Sequence, residues 1–234
     1  MKNIITKNIY EIKKENNEKS FINTGINKYD KIFKGFQEGE FVCLAGRPNA
    51  KTTSFCVKIA VKQAMKNKKV LFICDNNELK NISKTLEKSN KCNINLIRFY
   101  SGKKNIDTLF DYCSSKSFDY DLIIVNKDAT FTCDLSMAHF QNFADEYEVS
   151  VLRKIAKMCK IPVVFTRYTN RLSGIAKVAD RQDILGYSKI FRYLETVWLV
   201  SRKCPQGEFE CRVFNDYRDC DITFSLSADE ILLS

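Results

Sequence analysis

The residues best placed for chemistry are nine in a row, Ala45-Gly46-Arg47-Pro48-Asn49-Ala50-Lys51-Thr52-Thr53. They follow an apolar run, Phe41-Val42-Cys43-Leu44, and lead into a helical pattern of Phe55, Val57, Ile59, Ala60, Val61, Ala64 and Met65. A strand, a loop and a helix in that order present backbone N–H groups at a helix N-terminus, where phosphates bind. In the spacing G-x-x-x-x-G-K-[ST], Ala45 and Ala50 take the glycine positions, and Lys51 and Thr52 the lysine and hydroxyl positions. Lys51 is then expected to neutralise phosphate charge, and Thr52 or Thr53 to offer a hydroxyl to magnesium. Ala50 stands where the backbone often adopts angles that only glycine reaches freely, and its methyl is expected near a β-phosphate. The same nine residues point to a nucleotide and against its efficient use.

A second chemical signal is charge. The formal net charge of +10 and pI near 9.0 favour polyanionic partners, nucleic acid first, although lysine-rich surfaces also serve solubility. Ten cysteines form no C-x-x-C pair, and the single histidine, His139, has no cysteine at ligand spacing. Cys43 and Cys74 fall inside apolar strand patterns, so free thiols in a reducing cytoplasm are expected. No apolar run approaches the ~20 residues of a membrane span, and the N-terminus lacks the long apolar stretch of a secretory signal.

The elements that must position these residues alternate in type. Residues 1–20 carry Ile4, Ile5, Ile9 and Ile12 at roughly helical spacing ahead of a polar linker, which suggests a short helix that docks on a neighbouring subunit or folds back. Residues 21–234 form the main domain. A short helix over Asn27–Phe33 leads to a turn at 35–40 and a strand at Phe41–Leu44. Further strands are expected at 70–74, 95–100, 121–126 and 161–166, with helices to about Asn67 and over 79–88, 106–114 and 143–159. Residues 167–187 read as a polar, basic loop with some helix, and strands at 196–200, 211–214 and 222–226 close the chain, the last antiparallel. Trp198 and Phe191 sit in apolar patterns and are expected in the core. Continuous apolar strands alternating with helices imply an α/β fold with a mostly parallel central sheet covered on both faces.

Several segments together resemble a family. Thr24-Gly25-Ile26-Asn27-Lys28-Tyr29-Asp30, then Gly35-Phe36-Gln37-Glu38-Gly39-Glu40, then Ala45-Gly46-Arg47-Pro48 are similar to the start of the RecA-like motor domain of DnaB-type replicative helicases. Ile161-Pro162-Val163-Val164-Phe165-Thr166-Arg167-Tyr168-Thr169-Asn170-Arg171 resembles that family's V-P-V-V-x-L-S-Q-L-N-R segment. The resemblance covers residues from about 21 to about 230. It implies a RecA-like P-loop NTPase fold, ATP with Mg²⁺ as cofactor, and a ring of subunits on single-stranded DNA. Basic loops lining the ring would hold the DNA, which points to Arg167, Arg171, Lys177 and Arg181, with Tyr168 and Tyr187 available to stack on bases.

Departures from the family pattern cluster at hydrolysis positions. The family's water-polarising glutamate falls on Cys74-Asp75-Asn76-Asn77-Glu78, where Asp75 is one methylene shorter and Glu78 is displaced. The magnesium-shell aspartate falls on Asn126, with Asp128 two residues on as a substitute if the strand end is remodelled. The sensor glutamine falls on Tyr168, and the arginine that reaches a neighbour's γ-phosphate matches Arg218 only with a shifted register. Aligning on Arg47-Pro48 without a gap puts Lys51 on the glycine and Thr52 on the lysine. The expectation is a helicase-domain protein of DNA replication with weak nucleotide binding and impaired hydrolysis, acting on single-stranded DNA or a helicase ring. A working 5′–3′ helicase built around Asp75, Lys51 and Asp128, and an interaction protein without nucleotide, are the alternatives.

Overall fold

Apolar runs without alternation form the centre of the sheet, as strands buried on both faces require. The computed structural model describes residues 20–87, 93–101, 105–126, 131–132, 141–170, 180–202, 208–216 and 220–231. In chain order its elements are β1 (Phe21–Ile22), α1 (Asn27–Phe33), β2 (Phe36–Gln37), β3 (Phe41–Gly46), α2 (Thr52–Ala64), β4 (Val70–Ile73) and α3 (Asn76–Glu87). There follow β5 (Ile97–Tyr100), α4 (Ile106–Ser114), β6 (Leu122–Val125), α5 (Gln141–Cys159), β7 (Val163–Tyr168) and α6 (Tyr187–Ile190). The last are β8 (Thr196–Arg202), β9 (Phe209–Asn215), β10 (Cys220–Leu226) and α7 (Ala228–Ile231). The main sheet has the order β10-β9-β8-β3-β7-β6-β4-β5. Strands β3 to β8 run parallel, while β9 and β10 add antiparallel at one edge.

Successive strand residues face opposite sides and join two cores. Val42, Leu44, Phe72 and Ile124 pack with α1, α2, α3 and α7; Phe41, Cys43, Ile73 and Val125 pack with α4, α5 and α6. Each fully buried Val, Leu, Ile or Phe contributes about 1.5–3 kcal/mol, so this framework does not depend on the polar residues at the strand ends. Trp198 is buried as expected, with its ring 4.3 Å from that of Tyr29 and 5.5 Å from that of Phe55. Phe191 departs from expectation: it is 52% exposed, because Ile190 and Leu194 take the inward side of that short helical stretch. The seven described cysteines are free thiols, and burial pushes that of Cys43 up to about 12.

The segment 24–30 owes its composition to one turn. Asp30 accepts hydrogen bonds from the Thr24 backbone N–H and hydroxyl, both at 2.8 Å, and from the Gly25 N–H at 2.9 Å. Gly25 has φ +82°, and a Cβ there would lie 2.6 Å from the Lys62 side chain. The helix expected within residues 1–20 falls, but for Ser20, outside the described residues, as does His139. No helix among the described residues is long and apolar enough to cross a membrane.

Candidate nucleotide site

Parallel strands deliver their C-terminal ends to one edge of the sheet, where open α/β folds place ligands. Gly46, Ile73, Val125 and Tyr168 end four such strands here. Both β3 and β7 run two residues beyond their apolar cores, pairing Ala45 with Arg167 and Gly46 with Tyr168. Arg167 and Tyr168 are therefore strand residues and not part of the loop the sequence suggested.

From Gly46 the chain turns at Arg47-Pro48-Asn49-Ala50, with the Ala50 N–H donating to the Arg47 carbonyl at 2.9 Å. Pro48 presets the first corner and Asn49 adopts φ +73° at the second, the residues a type II turn favours. Ala50 is not at positive φ; the strained positions are its neighbours Asn49 and Lys51. The crowding expected at Ala50 takes another form. Its methyl is buried against Gly46, where an added Cβ would come within 2.8 Å of it.

Lys51 is exposed and has φ 60° and ψ 30°, a left-handed conformation directly before α2. That is the backbone glycine adopts at least cost, and it matches the ungapped alignment, in which Lys51 stands on the glycine. Thr52 then stands on the lysine; its side chain is buried, with its methyl facing Gly46. The hydroxyl that reaches the next strand end is that of Thr53, not Thr52 as the motif spacing suggested.

That strand end is Asn126, fully buried immediately after β6. Its Oδ1 accepts from the Thr53 hydroxyl at 3.3 Å and the Thr166 hydroxyl at 3.2 Å, and its Nδ2 donates to Glu78 Oε2 at 2.6 Å. Its backbone N–H donates to the Ile73 carbonyl at 2.8 Å. The amide orientation follows from charge, since the reverse would set Oδ1 against the Glu78 carboxylate. One side chain thus ties together α2, α3, β6 and β7.

Asp75 has a different partner from the one its catalytic reading required. Its carboxylate accepts the Glu78 backbone N–H at 2.7 Å, capping the start of α3. Capping sets Glu78 one turn in and brings it, rather than Asp75, to the site. The spacing Asp75-x-x-Glu78 before a helix was the available signal. Asp128 and Arg218 lie outside the described residues.

The DnaB-like helicase C-terminal domain family matches residues 22–195, about three quarters of the chain. The chain belongs to this family. Among solved structures, a helicase-sized ATPase domain is similar at a TM-score of 0.71 and 12% identity, over 93% of this chain and 91% of that one. A DnaB-like replicative helicase, from a structure that addresses its interactions with primase, is similar at a TM-score of 0.73 and 12% identity, over 96% of this chain and 66% of that one. Curated protein sequences give no match.

DnaB-like domains generally bind ATP with Mg²⁺, so the donor set calls for a test of fit. A hydrated magnesium ion takes oxygen ligands held by one or two carboxylates. Here the strand-end group is a neutral amide, its NH₂ is directed at Glu78, and both nearby hydroxyls donate to its oxygen. This arrangement does not fit the ion. A phosphate fits in part: α2 is 13 residues long and opens with N–H groups at its N-terminus, but the Ala50 N–H is consumed inside the turn.

The arginines expected on DNA also have partners in this DnaB-like domain. Arg167 pairs with Asp145 at 3.5 Å, and Arg181 pairs with Asp216 at 2.9 Å while lying over the Phe214 ring. Arg171 and Lys177 fall outside the described residues. Beside Arg167, burial pushes the Glu148 carboxyl from 4.5 up to about 7, against the opposing pull of the Arg167 guanidinium. The folded state then binds more protons than the unfolded one between those values, so stability falls as pH rises from about 4.5 to 7. Glu148→Gln is expected to flatten that slope, as urea midpoints at pH 5 and 7.5 will show; equal slopes in both proteins would exclude it.

Proposed function

We propose that this DnaB-like domain serves DNA replication as a catalytically impaired helicase subunit. It binds nucleotide weakly at the N-terminus of α2, acts on single-stranded DNA or a replicative helicase ring, and has little or no ATP hydrolysis of its own. The site of action is the cytoplasm. The observation that carries this reading is the hydrogen-bonded Asn126 amide, which stands where a magnesium-holding carboxylate belongs and engages Thr53, Thr166 and Glu78.

Family membership supports the replicative setting. The turn at 47–50 and the buried Thr52 support weak binding, because the loop offers fewer free N–H groups and no ammonium at the alignment's lysine position. ATP sites in rings of this family form between subunits, so an impaired subunit that loads, caps or inhibits a competent ring accounts for a preserved scaffold.

Calorimetric titration with a non-hydrolysable ATP analogue tests the reading. Weak binding with the same affinity in magnesium and in EDTA is expected. Magnesium tightening the complex by about tenfold, some 1.4 kcal/mol, would show that the site holds the ion after all.

A further inference from the structure

The surplus positive charge has a place. Between Thr52 and Lys69 the chain carries five lysines and no acidic residue. Lys68 and Lys69 are paired with Asp121 and Asp119. Lys58, Lys62 and Lys66 remain, spaced by four residues along one edge of α2 and the turn behind it, about 6 Å apart by helical rise. The neighbouring α1 adds exposed Lys31 and, at its C-terminal cap, exposed Lys34.

This face is fixed rather than loose. Gln63 Nε2 donates to the Asn23 carbonyl at 2.6 Å, Lys66 Nζ donates to the Asn23 side-chain oxygen at 2.5 Å, and the Lys62 stem lies against Gly25. The lysine edge of α2 is thereby clamped to the turn that starts α1. Lys66 bonds a neutral amide and Lys58 the Asp229 carbonyl, so these bonds hold the ammonium groups without cancelling their charge. The Asp30 carboxylate, between Lys28 and Lys31 in sequence, is turned to Thr24 and Gly25.

Two ordinary explanations fall short. Lysines near helix C-termini offset the helix dipole, but two such ends amount to about one negative charge against four ammonium groups. Like charges at i and i+4, such as Lys62 and Lys66, also cost helix stability by about 0.2–0.5 kcal/mol per pair.

We propose that the α1–α2 face, centred on Lys31, Lys34, Lys62 and Lys66, binds the phosphate backbone of single-stranded nucleic acid. A regular file of lysines suits a regular polyanion. An acidic peptide takes its affinity from apolar anchors seated in pockets, and the large apolar side chains here, Ile32 and Met65, protrude from the surface. The inference rests on the nucleic-acid reading above and moves the contact from the arginines after β7 to the lysines of α1 and α2.

The test is fluorescence anisotropy of the full chain with a labelled oligo-dT across a salt series. Each single-strand phosphate contact contributes about 0.7 to the slope of log affinity against log salt. The triple substitution Lys31→Gln, Lys62→Gln, Lys66→Gln is expected to reduce that slope by about 2 and to weaken binding at low salt by tenfold or more. Should the triple variant melt early, Lys62→Gln alone is expected to lower the slope by about 0.7. Arg167→Gln with Arg181→Gln is expected to leave the slope unchanged. Loss of slope in the arginine pair but not in the lysine variants sinks this assignment while keeping the nucleic-acid reading. No binding by the wild type at low salt sinks both, and so does a polyglutamate that binds as tightly as the oligonucleotide, which would mark the face as one for acidic protein.

Discussion

Asn126→Asp is expected to destabilise the protein on the order of 3 kcal/mol in EDTA at neutral pH, and magnesium is expected to restore part of the loss. The wild-type amide donates to Glu78 Oε2 at 2.6 Å in a fully buried position. An aspartate removes that donor and sets two carboxylates against each other, the kind of broken buried pairing that costs a few kcal/mol. At 2–4 °C per kcal/mol for a chain of this size, melting should fall by about 6–12 °C. The two carboxyls will share a proton, so one of them has its folded pKa raised. The variant is then most stable at low pH and loses stability as pH rises through that raised value, a dependence the wild-type amide lacks at this position.

Magnesium distinguishes this account from simple damage. A cation that binds only the folded variant stabilises it by RT ln(1 + [L]/Kd), about 2.7 kcal/mol at a hundredfold excess over Kd. Asn126→Ala should be destabilised without responding to magnesium, because it has no carboxylate. An Asn126→Asp protein that melts with the wild type in EDTA and ignores the ion would show that Glu78 does not face this position.

Why some of this was legible in sequence and some was not has particular causes. The central strands announced themselves because burial on both faces leaves uninterrupted apolar runs, as at Leu122–Val125. Their ends did not, since Gly46, Arg167 and Tyr168 extend the ladder through backbone pairing that no apolar pattern records. Phe191 was misread because an apolar type gives no direction, and Ile190 and Leu194 had the better claim on the core. The loop contained more information than the phosphate-loop spacing draws from it: proline followed by asparagine specifies a type II turn, which fixes where the positive φ values fall. The site's partners were the least visible. Asn126 meets Thr53 across 73 residues and Glu78 across 48, and Arg181 meets Asp216 across 35. Only the parallel stacking of strand ends brings such pairs together, so charge counting assigned to DNA two arginines that the fold neutralises internally.

ATP turnover is expected near the uncatalysed background, with or without single-stranded DNA, and Lys51→Ala is expected to leave it there. In phosphoryl transfer the protein contributes positioning and charge stabilisation, and losing one transition-state contact typically costs about 10²–10⁵ in rate. Here the strand-end carboxylate is an amide, the alignment's lysine position holds a buried threonine, and the candidate base Asp75 caps a helix. Such losses do not simply multiply, because groups that act as a unit fail together, yet any one of them already reaches the range where a motor stalls. Lys51 supplies the sharpest contrast. In a working site its removal abolishes turnover, whereas a lysine occupying the glycine's left-handed position has no catalytic contribution to lose. Phosphate release that is brisk, magnesium-dependent and eliminated by Lys51→Ala would place the ammonium on the nucleotide and refute the register that the backbone angles and the Thr53 contact support.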